Sequence, residues 1–205
     1  MNEFHEGMFP KIEDSIETIS GESRKNIESA SGSVINVKEN SFLEAAASGD
    51  SSVTVDQGCE LKTSAVADSI IRIKERAQAN IDKINDSVLR IEGRGEIGSV
   101  DSSMIRIMEN ASASFERISD SVMRASDNSE VKIAQLENVF LHIEKQVDAV
   151  IDSINDSVVT IKKGSKVQVH KADSSAINME EGAELIMDEE QKKNCTINIL
   201  KAPKA

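Results

Sequence analysis

Ser157-Val158-Val159-Thr160-Ile161-Lys162 sets a pattern that runs through the chain: one small polar residue, two apolar, one polar, one apolar, one polar. It returns as Ser69-Ile70-Ile71-Arg72-Ile73-Lys74, Ser87-Val88-Leu89-Arg90-Ile91-Glu92 and Ser103-Met104-Ile105-Arg106-Ile107-Met108. Copies begin at Ser33, Ser51, Ser69, Ser87, Ser103, Ser121, Val139, Ser157 and Ser175, with a weaker one at Ser15. The spacing is about 18 residues, with one shortened step between Ser87 and Ser103. A fixed period of this length marks a repeat architecture, in which each unit buries its apolar face against the next.

Residues two apart on a strand share a face. The third place of each unit reads Ile35, Val53, Ile71, Leu89, Ile105, Met123, Leu141, Val159 and Ile177. The fifth reads Val37, Val55, Ile73, Ile91, Ile107, Ala125, Ile143, Ile161 and Met179. Both columns point inward on this reading, and the polar fourth place points out. A second strand follows, with inward residues at Leu43, Leu61, Ala79, Ile97, Ala113, Val131, Ala149, Val167 and Leu185, and again at Ile81, Phe115, Ile133, Ile151, Val169 and Met187. One more apolar column, Val66, Ile84, Val100, Ile118, Leu136 and Ile154, precedes the corner that opens the next unit. The expected fold is all-β: a parallel β-solenoid (β-helix) of about ten 18-residue coils stacked about 4.8 Å apart, a rod on the order of 50 Å long.

Eighteen residues are also five turns of an α-helix, so a central coiled coil with β ends is the competing fold. Phe140, Ile143, Val147, Val150, Ile154, Val158 and Ile161 fall on a heptad seam, as do Ile70, Ile73, Ala77, Ile81, Ile84, Val88 and Ile91. The same register, however, runs into Ser51-Ser52-Val53-Thr54-Val55 and Lys166-Val167-Gln168-Val169, whose β-branched alternation is that of strands. Gly93, Gly95 and Gly98 would interrupt a central helix. The solenoid is the stronger reading.

Residues 1–14 lie outside the repeat and read as a short N-terminal cap or extension, with Phe4, Met8, Phe9 and Ile12 at roughly helical spacing. Residues 15–200 are assigned to the solenoid and residues 201–205 to a basic tail. Asn194-Cys195-Thr196-Ile197-Asn198-Ile199-Leu200 reads as a last strand with nothing obvious to cover it. Its open edge makes Cys195, Ile197, Ile199 and Leu200 a candidate interface for a homodimer formed coil on coil.

Of the 205 residues 39% are hydrophobic, mostly aliphatic, and only 2% aromatic, which suits a narrow core of repeated layers. A formal net charge of -12 disfavours nucleic acid or an anionic membrane as a direct partner. Cys59 and Cys195 form no disulfide framework or metal motif and read as buried free thiols in a reducing compartment. No apolar run has the length of a membrane span, and the N-terminal residues lack the basic start and apolar middle of a signal peptide. The expectation is a cytoplasmic protein.

Two columns could carry chemistry. The outward fourth place holds Arg72, Arg90, Arg106 and Arg124 in successive coils, a ladder of guanidinium groups about 5 Å apart, and then His142. Such a stripe suits an acidic partner or phosphates, unless Glu92, Lys74, Glu144 and other neighbours turn it into an ordinary solvated face. The corner before each unit holds Asp50, Asp68, Asp86, Asp120 and Asp156. Asp suits a corner because it bonds its own backbone and tolerates the left-handed conformation. A row of carboxylates could also imitate a phosphate backbone. The Gly-Gly-x-Gly-x-Asp repeats of calcium-binding solenoids are missing, so no metal is expected. Nor is any cofactor, since the chain has no glycine-rich phosphate loop, nucleophile elbow or Cys/His cluster.

These readings converge on a non-enzymatic chain that binds another protein through a lateral face, as a scaffold or inhibitor. An acidic nucleic-acid mimic that blocks a DNA- or RNA-binding protein is the second expectation, and a self-assembling filament the third.

Overall fold

Strands rich in Ile and Val, alternating apolar and polar, satisfy their backbone by pairing with the equivalent strand one unit on. The computed structural model, which describes residues 9–201, is built this way throughout. A typical coil gives a four-residue strand such as Val158–Ile161 to an 11-stranded sheet and an eight-residue strand such as Lys166–Asp173 to a 12-stranded sheet. Pairing is parallel, and like meets like: Val53, Ile71, Leu89, Ile105, Met123, Leu141, Val159 and Ile177 stand in one register. There is no α-helix among the described residues. The chain is a β-solenoid, and the heptad seam is a coincidence of spacing: Phe140 lies on the outside while Ile143 lies in the core.

The eight-residue strand is bent. Along Gln78–Asn85, Ala79 and Ile81 are buried, Asp82 and Lys83 are both exposed, and Ile84 is buried again. Gly98 and Glu116, the equivalents of Asp82, drop out of the ladder while their neighbours stay paired. Two outward residues in succession carry the strand round a corner, in the manner of a bulge. Each coil therefore has three sides, one from the short strand and two from the long one.

The small polar residue that opens each unit has a structural role. At that corner Ser33, Ser51, Ser69, Ser87, Ser103, Ser121, Ser157 and Ser175 are buried. Ser69 Oγ donates to the Ala67 carbonyl at 2.6 Å and accepts from the Ser51 backbone N–H at 3.1 Å. The same pair of bonds recurs at Ser87 and Ser103. The serines thus satisfy backbone groups that the turn would otherwise leave buried and unpaired.

The shortened step comes out of the turn after the short strand. Three residues separate Ile91 from Gly95, where five separate Ile73 from Ala79. Ile97 consequently pairs with Ile81 and Phe115, and Gly95 takes the place in the Ala79–Ala113 column that the repeat assigns to Ile97. The last coil is longer by two, with Ala176 in register with Thr196, and a 3-10 turn at Glu189–Gln191 takes up the excess.

At the beginning of the chain the ladder reaches back to Lys11–Glu13, which pairs with Ser29 to Ser31. Ile12 is thus a buried strand residue of the first coil and no part of a helix. Phe9 is exposed, and Phe4 and Met8, the remaining apolar residues of the expected cap, lie outside the described residues. Neither cysteine is in a disulfide; Cys59 is buried, but Cys195 is only half-buried, against the reading of two buried thiols.

Candidate docking face

The short-strand sheet turns one flat side to solvent, and two columns of side chains run up it. Arg72, Arg90, Arg106, Arg124 and His142 share one register, as the repeat predicts. Parallel strands lie about 4.8 Å apart, so neighbouring guanidinium groups are held in mutual repulsion. Carboxylates relieve part of it. Arg90 Nε donates to Glu92 Oε1 at 2.6 Å, and Glu144 Oε1 lies 2.5 Å from Arg124 and 3.3 Å from His142. Lys74 adds no counter-charge and pairs instead with Asp56 at 2.5 Å. Arg72 and Arg106 have no carboxylate within ion-pair distance among the described residues. The solvated-face reading therefore holds for Arg90, Arg124 and His142, and two guanidinium groups remain open.

Beside the ladder, two residues back along each strand, runs a column the sequence reading passed over. Ile70, Val88, Met104, Val122 and Phe140 are in register and exposed, Phe140 at 62% and Val122 at 51%. Val158 continues the column one coil further, half-buried. Strand alternation explains why they face out: the third and fifth places are inward, so the second must be outward. The signal was present in the repeat, as an apolar pair at places two and three where the core needs only one of the two. Folding leaves this column unpartnered among the described residues, which makes it a candidate interaction surface.

The acidic corner is accounted for by its backbone. Asp50, Asp68, Asp86, Asp120 and Asp156 all adopt left-handed backbone conformations, with φ between 46° and 49°. Asp and Asn tolerate that region better than other side chains with a Cβ. Ser102, Asn138 and Ser174 take the same corner with φ of 49°, 52° and 48°, so the row is not uniformly charged. Asp120 accepts a hydrogen bond from Asn138 in the next coil, and Asp156 accepts one from Asn155 at 2.8 Å.

The shortened coil leaves two open clefts on the long-strand side. One, of about 510 Å3, is lined by Asp82, Glu96, Gly98 and Glu116; the other, of about 460 Å3, by Arg76, Gln78, Gly93 and Arg94. The neighbouring coil closes in where the chain was cut short. A Cβ at Gly93 would run into the carbonyl oxygens of Lys74 and Ala77, and one at Gly98 into that of Asp82. No group of three metal-ligating side chains gathers in them or elsewhere among the described residues.

Cys195, Ile197, Ile199 and Leu200 lie together at the C-terminal end. Thr196–Leu200 is the last strand of the short-strand sheet, paired on one edge only among the described residues. Cys195 takes the corner serine's place, its thiol donating to the Lys193 carbonyl at 3.2 Å. No helix among the described residues is long and apolar enough to cross a membrane. Fold and face together define a class: a parallel β-solenoid whose one lateral side pairs an apolar stripe with a cationic one. No known protein family, curated protein or solved structure matches the chain.

Proposed function

We propose that this chain is a non-catalytic binding rod that docks another protein along the outward side of its short-strand sheet, as a scaffold or inhibitor. The observation that carries this reading is the exposed apolar column from Ile70 to Phe140, in register beside the Arg72-to-His142 ladder. The two columns are roughly 6–7 Å apart on the strand and repeat every 4.8 Å or so along the rod. Side chains on one face of an α-helix recur at about 5–6 Å. An amphipathic helix laid along the rod axis would therefore set an apolar row on the Val122 column and an acidic edge on the guanidinium column. The rigid rod loses little conformational entropy in binding it.

The nucleic-acid mimic has less support, since the acidic corner is broken at Ser102, Asn138 and Ser174 and its residue type is what a left-handed corner requires.

Site-specific photo-crosslinking in the native host tests the proposal. A crosslinker at Val122 should give a discrete adduct with one partner, while one at Lys132, outward on the long-strand sheet, should not. Arg72→Glu with Arg106→Glu should abolish the adduct. Equal labelling from both positions, or an adduct indifferent to the charge reversal, sinks the proposal.

A further inference from the structure

The two ends of the rod are built differently. At the N-terminal end the first coil puts charge where later coils put aliphatic side chains. Glu17 stands in the column of Ile35, and Lys25 in the column of Leu43. The two form an ion pair, half-buried across the inward positions of that coil. Ile19, in the column of Val37, is only 3% exposed. At the C-terminal end Ile199 occupies that same column, in register with Met179, and is 67% exposed. Leu185, Met187 and Ile197 there are only partly covered.

We infer that the C-terminal end binds the C-terminal end of a second copy of this chain, about a two-fold axis that passes midway between the two copies of Asn198. The strand Thr196–Leu200 is self-complementary under that operation. Run antiparallel to its own copy with Asn198 at the centre, it sets Ile197 of each chain opposite Ile199 of the other, both on the inward side. Thr196 and Leu200 then meet on the outward side. Isologous pairing of this kind closes after two chains. It satisfies the strand edge left unpaired among the described residues and joins two partly covered cores into one.

Head-to-tail stacking, the route to a filament, is opposed by the first coil. It would lay Thr196–Leu200 against Ile16–Ile19 in the register of the sheet, placing Ile197 on Glu17 and Leu185 on Lys25. Inward-pointing charges at a sheet end are a known bar to such pairing, because the charges would lose water to an apolar neighbour.

Sedimentation velocity on the full chain, with three variants, tests this. Wild type should run as a dimer. Ile199→Asp should run as a monomer with an unchanged strand-type circular dichroism spectrum, since an exposed position tolerates the substitution in the isolated chain. Opposed residues of antiparallel strands lie about 4.5–5.5 Å apart at Cα, within disulfide reach. Asn198→Cys in a Cys195→Ser background should therefore oxidise to a covalent dimer. Glu17→Ile with Lys25→Leu should convert dimers to longer assemblies. A monomeric wild type, a dimer that survives Ile199→Asp, no crosslink at position 198, or wild-type polymers would each overturn the inference. None of these outcomes touches the lateral docking face.

Discussion

Lys62, on the long-strand sheet, stands in register over Glu44 and bonds it at 3.1 Å, whereas Arg90, on the short-strand sheet, stands in register over Arg72. Other long strands also carry opposite charges from coil to coil, with Glu130 over Asp148 the exception. Lys166 meets Glu184 at 3.8 Å and Arg117 reaches Glu137 in the next coil at 2.6 Å, both on long strands. The short-strand face repeats its cations and leaves Arg72 and Arg106 open. It also exposes an apolar column, while the exposed places of the neighbouring long strands are mostly charged or polar. Both sheets pack the core by the same alternation, so folding cannot account for the contrast. A surface that satisfies itself suits solvent, and like charge stacked beside bare hydrocarbon is what supports the proposed docking face.

If the outward apolar column contributes nothing to the fold, neighbours on one strand should respond very differently to substitution. Leu89, fully buried between Ile71 and Ile105, should lose about 2–5 kcal/mol on replacement by Ala. Val122→Thr, outward and still β-branched, should move stability by no more than about 0.5 kcal/mol. Urea denaturation of the two variants measures both. A costly Val122→Thr would mean that the column is structural after all.

Charge reversal should act with opposite signs on the two sheets. Arg106→Glu puts a carboxylate between Arg90 and Arg124 and should stabilise the free rod, by about 0.2–1 kcal/mol. Lys62→Glu sets a second carboxylate on Glu44 and should destabilise it by a similar amount. Both effects should fade at high salt, because these groups are solvent-exposed. Equal signs for the two variants would dissolve the contrast between the faces. A stabilising Arg106→Glu that also abolishes partner binding would show that the ladder is kept at a cost to the fold.

The repeat made most of this architecture legible. The period, the inward columns at places three and five, the cationic ladder and the open last strand all follow from alternation and spacing. The bend at Asp82 and Gly98 was hidden because two outward residues in succession look like a lapse of phase rather than a corner. That is also why the further column from Val66 to Ile154 stood apart from the strand it belongs to; Ile97 fell two places out of register for another reason, the shortened turn before Gly95. The column from Ile70 to Phe140 was visible but unread, since hydrophobicity alone does not say which side of a strand a residue takes. Glu17 and Lys25 made the first unit look like a weak copy of the repeat, when they occupy its inward places with opposite charges.

The smallest expected effect tests whether the long-strand surface truly satisfies itself. Glu44 accepts from Lys62 at 3.1 Å and from Arg24 at 3.4 Å, and these bonds hold its carboxyl below its ordinary value of 4.5. A carboxylate whose folded value is depressed contributes stability that is present above the ordinary value and is lost as pH falls through the folded one. The contribution should therefore disappear below pH 4.5, and solvent screening keeps it small. Removing the nearer partner with Lys62→Met should return the Glu44 titration most of the way to its ordinary position, read from its side-chain carbon shifts by NMR. A Glu44 that titrates identically in both proteins would mean that the cross-coil pair does not persist in solution. The contrast between the two sheets would then rest on the apolar column and the open guanidinium groups alone.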